Sequence, residues 1–121
     1  MKEKKKTTKK TKQSDGIVLR IRETRVTGTE YENRVIRVCA VYRYPFTFKD
    51  GKVGNKVPDF INREKKCILE VYNPGRSDEE VHARLVAFHT KAFKVRQLVK
   101  YDVSNPDWKS SLTRIIGGFL N

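Results

Sequence analysis

Two short apolar runs near the middle of the chain predict a pair of antiparallel strands. The first run covers Val57–Ile61 and the second covers Lys66–Tyr72. The polar residues Asn62–Lys65 separate them, which is the length of a tight connection between neighbouring strands. We expect the rest of the chain to be organised around this hairpin.

A helix and an aromatic strand are predicted before the hairpin. Thr29 and Glu32 have the spacing of a capping box, and an apolar stripe continues the helix to Val41. Tyr42–Phe48 then alternate aromatic and polar residues, which predicts a strand with an aromatic face in the core. Stacking on nucleic-acid bases is the alternative role for that face. Asp50-Gly51 predicts a hairpin turn.

A second helix, a strand and a last helix are predicted after the hairpin. Ser77 begins the helix as its cap, and Val95–Val103 predicts a strand parallel to Lys66–Tyr72 because a helix lies between the two. The buried face of the second helix is predicted at Val81, Leu85, Phe88 and Ala92. That of the last helix is predicted at Trp108, Leu112, Ile115, Ile116 and Phe119. This order of elements is that of an α/β sandwich.

Charge adds a partner to this picture. The chain has 121 residues and a net charge of +13, and residues 1–14 contain seven lysines and one glutamate. We expect a disordered basic tail over residues 1–14 and a single domain over residues 15–121, which begins with a short strand at Ile17–Arg22. A basic excess in both parts favours a polyanion, most simply DNA, although a merely solvated leader would explain the tail alone. The residues expected to bind nucleic acid are Lys4, Lys5, Lys6, Lys9, Lys10, Lys12 and Arg76.

Cysteine usage and hydropathy restrict the setting. Cys39 and Cys67 lie in apolar stretches, which indicates reduced core residues rather than a disulfide. No apolar run approaches the ~20 residues that span a bilayer. The expected location is therefore cytoplasmic, in association with DNA and without a membrane.

Asp59 and Glu70 are unusual residues for apolar strands. A carboxylate in such a setting needs compensation for its lost hydration. Two carboxylates on paired strands can lie side by side, and a bound cation then relieves their repulsion. Oxygen ligands of this kind suit Mg²⁺ or Mn²⁺. The pattern therefore predicts a divalent metal site.

Pro58-Asp59 followed by Glu70 at the end of an apolar strand resembles the PD-(D/E)xK motif of the restriction-endonuclease-like nuclease superfamily. The similarity covers roughly residues 28 to 120 and is closest to small very-short-patch-repair-like or homing-type members. It implies a restriction-endonuclease-like α/β/α core, with a central mixed sheet flanked by helices. The motif places a lysine two residues after the glutamate, where this chain has Tyr72.

The resemblance also implies a set of site residues. Asp59, Glu70 and the carbonyl of Val71 would hold the metal ion, and Glu32 would approach it from the first helix, unless Glu32 serves only as a helix cap. Residues 70 and 72 of one strand share a sheet face, so Tyr72 would take the place of the lysine. Arg84 is the first choice for a replacement cation, ahead of Arg76 and Lys91. Its alternative is a surface ion pair with Glu80.

Three functions remain open from the sequence. The first is a metal-dependent DNA endonuclease of the repair, junction-resolving or homing type. The second is a DNA-binding protein with the same fold and no catalysis, which Tyr72 favours. The third is a basic RNA- or ribosome-associated protein, which the lysine-rich tail favours. A homodimer is one option for the oligomeric state, which the sequence leaves open.

Overall fold

The structure is a computed structural model that describes residues 30–121. This part of the chain has a mixed α/β architecture. The expected basic tail, the Ile17–Arg22 strand and Thr29 lie outside the described residues. The elements are α1 (Glu30–Tyr42), β1 (Thr47–Phe48), β2 (Phe60–Asn62), β3 (Cys67–Val71), α2 (Asp78–Thr90), β4 (Lys94–Leu98), α3 (Lys100–Ser104) and α4 (Trp108–Leu120).

A mixed sheet of four strands forms the centre, in the order β1-β2-β3-β4. β1 pairs with β2 and β2 with β3 in antiparallel fashion, whereas β3 and β4 are parallel. The predicted hairpin around Asn62–Lys65 and the predicted parallel strand after the second helix are therefore confirmed. β3 and β4 are parallel because α2 returns the chain to the end of the sheet at which β3 begins.

The two faces of β3 pack against different helices. Cys67, Leu69 and Val71 belong to a buried cluster that includes residues of α1 and α4. Ile68 points the other way and packs with Phe88 of α2. Since side chains alternate along a strand, this single strand supplies the core on both sides of the sheet. Helices therefore flank the sheet on both faces.

The aromatic segment before the hairpin departs from prediction. The helix α1 extends to Tyr42, Arg43 follows with φ +57°, and only Thr47–Phe48 form a strand. The aromatic rings of Phe46 and Phe48 are nevertheless buried in the core. The predicted strand was too long, because its first residue belongs to α1 and Arg43 then turns the chain in a left-handed conformation.

The connection between β1 and β2 is also longer than a hairpin turn at Asp50-Gly51. Thr47 pairs with Ile61 and Phe48 pairs with Phe60, so residues 49–59 form the connection. Inside it, Val53 and Lys56 form a small bridge. The turn of this segment therefore lies at residues 54–55, and the prediction of a turn at residues 50–51 was wrong.

Helix α2 begins as predicted but buries a different face. Oγ of Ser77 accepts a hydrogen bond of 3.1 Å from the backbone N–H of Glu80, which caps the helix. Phe88 is fully buried, as predicted, but the second buried residue is Arg84. Ala92, predicted in the buried face, lies beyond the helix and is exposed. The charged residue faces inward because this helix lies over the two acids of the sheet.

The last predicted strand is shorter, and the last helix is as predicted. β4 ends at Leu98, and Lys100–Ser104 form the short helix α3 instead of continuing the strand. The carboxylate of Asp102 accepts from the backbone N–H of Val99 at 2.9 Å, which favours a helical turn at this point. In α4, Leu112 and Ile116 are buried, in agreement with the predicted apolar face.

The two cysteines lie in the core, as their apolar surroundings predicted. Cys39 and Cys67 are both buried, and neither forms a disulfide bond. Burial raises the pKa of the Cys67 thiol, which keeps it protonated despite the nearby lysines. Within residues 30–121, none of the helices has the length and apolar character needed to cross a membrane.

Candidate functional site

Asp59 and Glu70 lie opposite each other on neighbouring strands. Phe60 of β2 pairs with Leu69 of β3, and the next position of this register places Asp59 opposite Glu70. Both residues are 1% exposed. The short connection between the strands fixes this arrangement, since any shift of one residue would turn one carboxylate to the opposite face.

Backbone N–H groups hold both carboxylates in place. The N–H of Asp59 donates to Oε2 of Glu70 at 2.8 Å. The N–H of Val71 donates to Oδ2 of Asp59, also at 2.8 Å. Each acid is therefore anchored by the strand of the other, so their spacing is set by the sheet rather than by side-chain rotamers.

Arg84 of α2 neutralises Glu70. Its Nε lies 2.6 Å from Oε1 of Glu70, and one terminal nitrogen lies 3.3 Å from Oε2. The same terminal nitrogen donates to the carbonyl of Val57 at 2.7 Å. This fork-like pairing from a helix that covers the sheet makes Arg84 part of the core. The alternative ion pair between Arg84 and Glu80 is not the one observed.

Arg76 lies in the loop before α2 and contacts both acids. Its Nη1 lies 3.2 Å from Oδ2 of Asp59 and 3.4 Å from Oε1 of Glu70, and its Nη2 lies 3.2 Å from Oδ1 of Asp59. On the outer side, its Nε lies 4.0 Å from Glu80. One guanidinium thus occupies the position that faces both carboxylates.

The pKa values reflect this competition between burial and pairing. Burial raises the pKa of Glu70, and the charge of Asp59 adds to this effect, whereas Arg84 acts in the opposite direction. Burial disfavours the charged form of Arg76, but its bond to Asp59 and the surrounding carboxylates outweigh that cost and raise its pKa. Arg76 is therefore a permanent cation at neutral pH.

A cleft opens beside the acid pair at the ends of β3 and β4. Its volume is about 270 Å³. It is lined by Tyr72, Asn73, Arg76, Asp78, Val81, Gln97, Val99 and Lys100. Ligands in α/β proteins bind beyond the carboxyl ends of strands, which is where this cleft lies. Arg76 stands between the cleft and the two acids, since it touches both.

Gln97 extends the row of polar residues to a third strand. It pairs with Glu70 in the parallel register of β3 and β4, so the two side chains share one face of the sheet. The sequence analysis missed Gln97. The signal was available only through the register, since a lone glutamine in an alternating strand is an ordinary solvent-facing residue.

Tyr72 does not stand over the acids as predicted. β3 ends at Val71, so the alternation of the strand does not extend to residue 72. The ring of Tyr72 instead packs against Tyr31 of α1, with ring centres 5.8 Å apart, and against the core cluster on the α1 side of the sheet. The cationic position near Glu70 is filled by Arg76 and Arg84.

Glu32 is buried as predicted for an inward-facing residue, but the structure does not bring it into the acid pair. It is 4% exposed, and its Oε2 lies 3.7 Å from the Nζ of Lys49. Among residues 30–121, no three His, Cys, Asp or Glu side chains converge closely enough to hold a metal ion. In the described part of the chain, the pair Asp59 and Glu70 therefore has no third carboxylate beside it.

Of the seven residues expected to contact nucleic acid, the structure describes only Arg76. The six lysines of the tail lie outside the described residues. Arg76 faces the two acids instead of open solvent, with 16% of its side chain exposed. Lys91, the third candidate for a replacement cation, is exposed beyond the end of α2.

The donor set of this site fits a divalent cation in kind. Two carboxylates provide hard oxygen ligands, and Mg²⁺ keeps several waters, so few protein ligands are needed. Arg76 shows that a cation is accepted at the position shared by both acids. A metal ion would have to replace that guanidinium, while Arg84 could remain on Glu70.

Comparisons with protein-family models, with curated proteins and with solved structures found no match to this chain.

Proposed function

We propose that this protein is a metal-dependent DNA endonuclease. The observation that carries the proposal is the shared cationic position of Asp59 and Glu70, at which one nitrogen of Arg76 contacts both acids. A pair of buried acids is costly to maintain, and two arginines offset the cost. An acid pair of this kind beside an open cleft suits the binding of a metal ion and a phosphate better than it suits stability alone.

The roles of the residues follow from their contacts. Asp59 and Glu70 would hold Mg²⁺ or Mn²⁺, and the carbonyl of Val71 remains the proposed third ligand. When bound, the ion would supply charge neutralisation at the phosphate and a water molecule of lowered pKa. Val71 fixes Asp59 through its N–H, and Arg84 fixes Glu70 from α2. Lys100 lines the same cleft, where a phosphate would lie.

A DNA-binding protein without catalysis is the second candidate. The observation in its favour is that all four carboxylate oxygens of Asp59 and Glu70 already accept hydrogen bonds from the protein. In that case the four charged side chains would act only as a buried structural network. The net charge of +13 supports DNA as the partner in both cases.

Cleavage of DNA distinguishes the two candidates. Purified protein is incubated with supercoiled and branched DNA in the presence of Mg²⁺, Mn²⁺ or a chelator. We expect metal-dependent nicking by the wild type and its loss in Asp59→Asn and in Glu70→Ala, while DNA affinity measured by fluorescence anisotropy is kept or increased. Glu64→Ala is the matched control, because it removes an exposed acid from the turn between β2 and β3.

Two outcomes would contradict the nuclease proposal. Wild-type protein that binds DNA and leaves every substrate intact with both metals would favour the binding protein. Equal nicking by the wild type and both acid variants would show that the activity comes from a contaminant.

A further inference from the structure

Arg76 and Arg84 differ in how firmly the fold holds them. Arg84 projects from the middle of α2 and makes bonds of 2.6 Å and 2.7 Å to Glu70 and to the carbonyl of Val57. Arg76 projects from a loop, and its three bonds to the acids measure 3.2 to 3.4 Å. Charge-assisted hydrogen bonds in well-formed pairs measure about 2.7 to 2.9 Å. Arg76 is therefore the more weakly bound of the two.

Glu80 provides an alternative partner for the side chain of Arg76. Its Nε already lies 4.0 Å from Glu80 on the first turn of α2, and the Glu80 side chain is half exposed. The cleft at the ends of β3 and β4 borders Arg76 directly. A small rotation of the side chain would therefore exchange the buried acids for Glu80 and leave the acid pair open to the cleft.

We propose that Arg76 is a displaceable cation that closes the acid pair of Asp59 and Glu70 until a divalent metal ion takes its position. This inference rests on the proposed metal-dependent function and adds a regulatory step to it. The bound guanidinium competes with the metal for the same oxygens. The apparent metal affinity is then lowered by the fraction of molecules in which Arg76 is in place.

Metal binding without DNA tests this directly. Binding of Mn²⁺ to the full chain is measured by calorimetry and by the loss of the free Mn²⁺ signal in electron paramagnetic resonance. Arg76→Gln should bind Mn²⁺ at least about tenfold more tightly than the wild type, since removal of the competitor restores the intrinsic affinity. Addition of Asp59→Asn to that variant should abolish the gain.

Lys100→Gln is the matched control. It removes one positive charge from the same cleft and touches neither acid, so it reports the general electrostatic effect alone. We expect it to change Mn²⁺ affinity by less than about threefold, because exposed charges are screened by solvent and salt. Equal affinities for Arg76→Gln, Lys100→Gln and the wild type would overturn the proposal, as would the absence of Mn²⁺ binding by all three.

A second variant covers the case in which Arg76→Gln fails to fold. Arg76→Lys keeps the charge but cannot span both acids as a guanidinium does, so it should give an intermediate affinity. An affinity of Arg76→Lys equal to that of the wild type would count against displacement. Tighter Mn²⁺ binding without any nicking would support displacement and refute the nuclease proposal, whereas nicking with unchanged Mn²⁺ affinities would do the reverse.

Discussion

The backbone N–H of Asp59 donates a hydrogen bond of 2.8 Å to the carboxylate of Glu70, on the neighbouring strand. This bond ties the position of one acid to the side chain of the other. Both carboxylates are 1% exposed, and they are neutralised by two arginines from one side of the sheet. The two carboxylates of the candidate site are thus also part of the buried layer between α2 and the sheet.

Loss of Arg84 should therefore destabilise the whole domain. In Arg84→Met, the apolar part of the side chain is kept, but Glu70 loses its closest cation while it remains buried. Breaking a buried pair in this way costs about 3 to 5 kcal/mol. Urea unfolding followed by circular dichroism measures the change in the free energy of unfolding.

Arg96→Met is the control for Arg84→Met, since Arg96 is an exposed arginine of β4. Its substitution should change the free energy of unfolding by no more than about 0.5 kcal/mol. Similar unfolding curves for the two variants would show that Arg84 does not hold the network together.

Stability should also depend on the ionisation of Glu70. Its pKa is raised in the folded protein, whereas the unfolded chain keeps the ordinary value of 4.5, so the folded state binds more protons between these two values. The stability that Glu70 contributes is complete below the ordinary value and is lost as the pH rises through the raised value.

Glu70→Gln resembles the protonated side chain at every pH and removes this dependence. The free energy of unfolding of Glu70→Gln minus that of the wild type should therefore increase as the pH rises through this window. Urea unfolding is measured at intervals from about pH 4 to about pH 8. A difference that decreases with pH would show that attraction to Arg84 and Arg76 outweighs the cost of burial.

Two adjacent glycines of α4 provide a test of packing. A Cβ on Gly117 would lie 2.8 Å from the hydroxyl of Tyr44, whereas a Cβ on Gly118 would meet nothing within 4 Å. Gly118→Ala should stabilise the protein by about 0.5 to 1 kcal/mol through helix propensity. Gly117→Ala should give no gain or a loss of about 1 kcal/mol, because the Tyr44 hydroxyl must leave the carbonyl of Thr113.

Tyr44→Phe separates the steric effect from propensity. In that background the hydroxyl is absent, so Gly117→Ala should approach the effect of Gly118→Ala in thermal unfolding. Persistent destabilisation by Gly117→Ala in the Tyr44→Phe protein would contradict the contact.

The basic tail should determine the salt dependence of DNA binding. Residues 1–14 carry seven lysines, and each phosphate contact adds nearly one unit to the log–log slope of affinity against salt. Deletion of this segment should reduce the slope by up to about six units. Replacement of the segment by Gly-Ser residues of equal length is the control for chain length, and an unchanged slope after deletion would show that the tail does not contact phosphate.

Local patterns predicted the acid pair and named Arg84 and Arg76 as candidate cations, but they did not predict which acid each arginine contacts. Asp59 and Glu70 meet because a short turn fixes the register of two strands, and both the turn and the strands are visible in the sequence. Arg76 lies in a loop, whose path depends on contacts with residues far along the chain. Arg84 was named as the first choice for a cation at this site, but its burial against Glu70 could not be read from the pattern of α2, because that burial depends on the acids beneath the helix.

The remaining errors came from the ends of elements. Tyr72 was assigned to the face of Glu70 on the assumption that β3 continues, but the strand ends one residue earlier. The segment after Leu98 was extended as a strand because apolar residues continue to Val103. The backbone N–H of Val99 donates to the carboxylate of Asp102, which favours a helical turn here. Such local bonds compete with strand pairing in ways that hydropathy does not reveal.

The four charged side chains around the site have a consequence for DNA approach. With Arg76 in place, the charges of the two carboxylates and the two guanidiniums sum to zero, so these four side chains present no net charge to an incoming phosphate. Exchange of that guanidinium for a doubly charged ion would leave the two acids, Arg84 and the ion with an excess of one positive charge, and the guanidinium would lie beside Glu80. Binding of the ion would then give these groups a net positive charge that attracts phosphate. DNA would therefore bind at the cleft after the metal ion rather than before it.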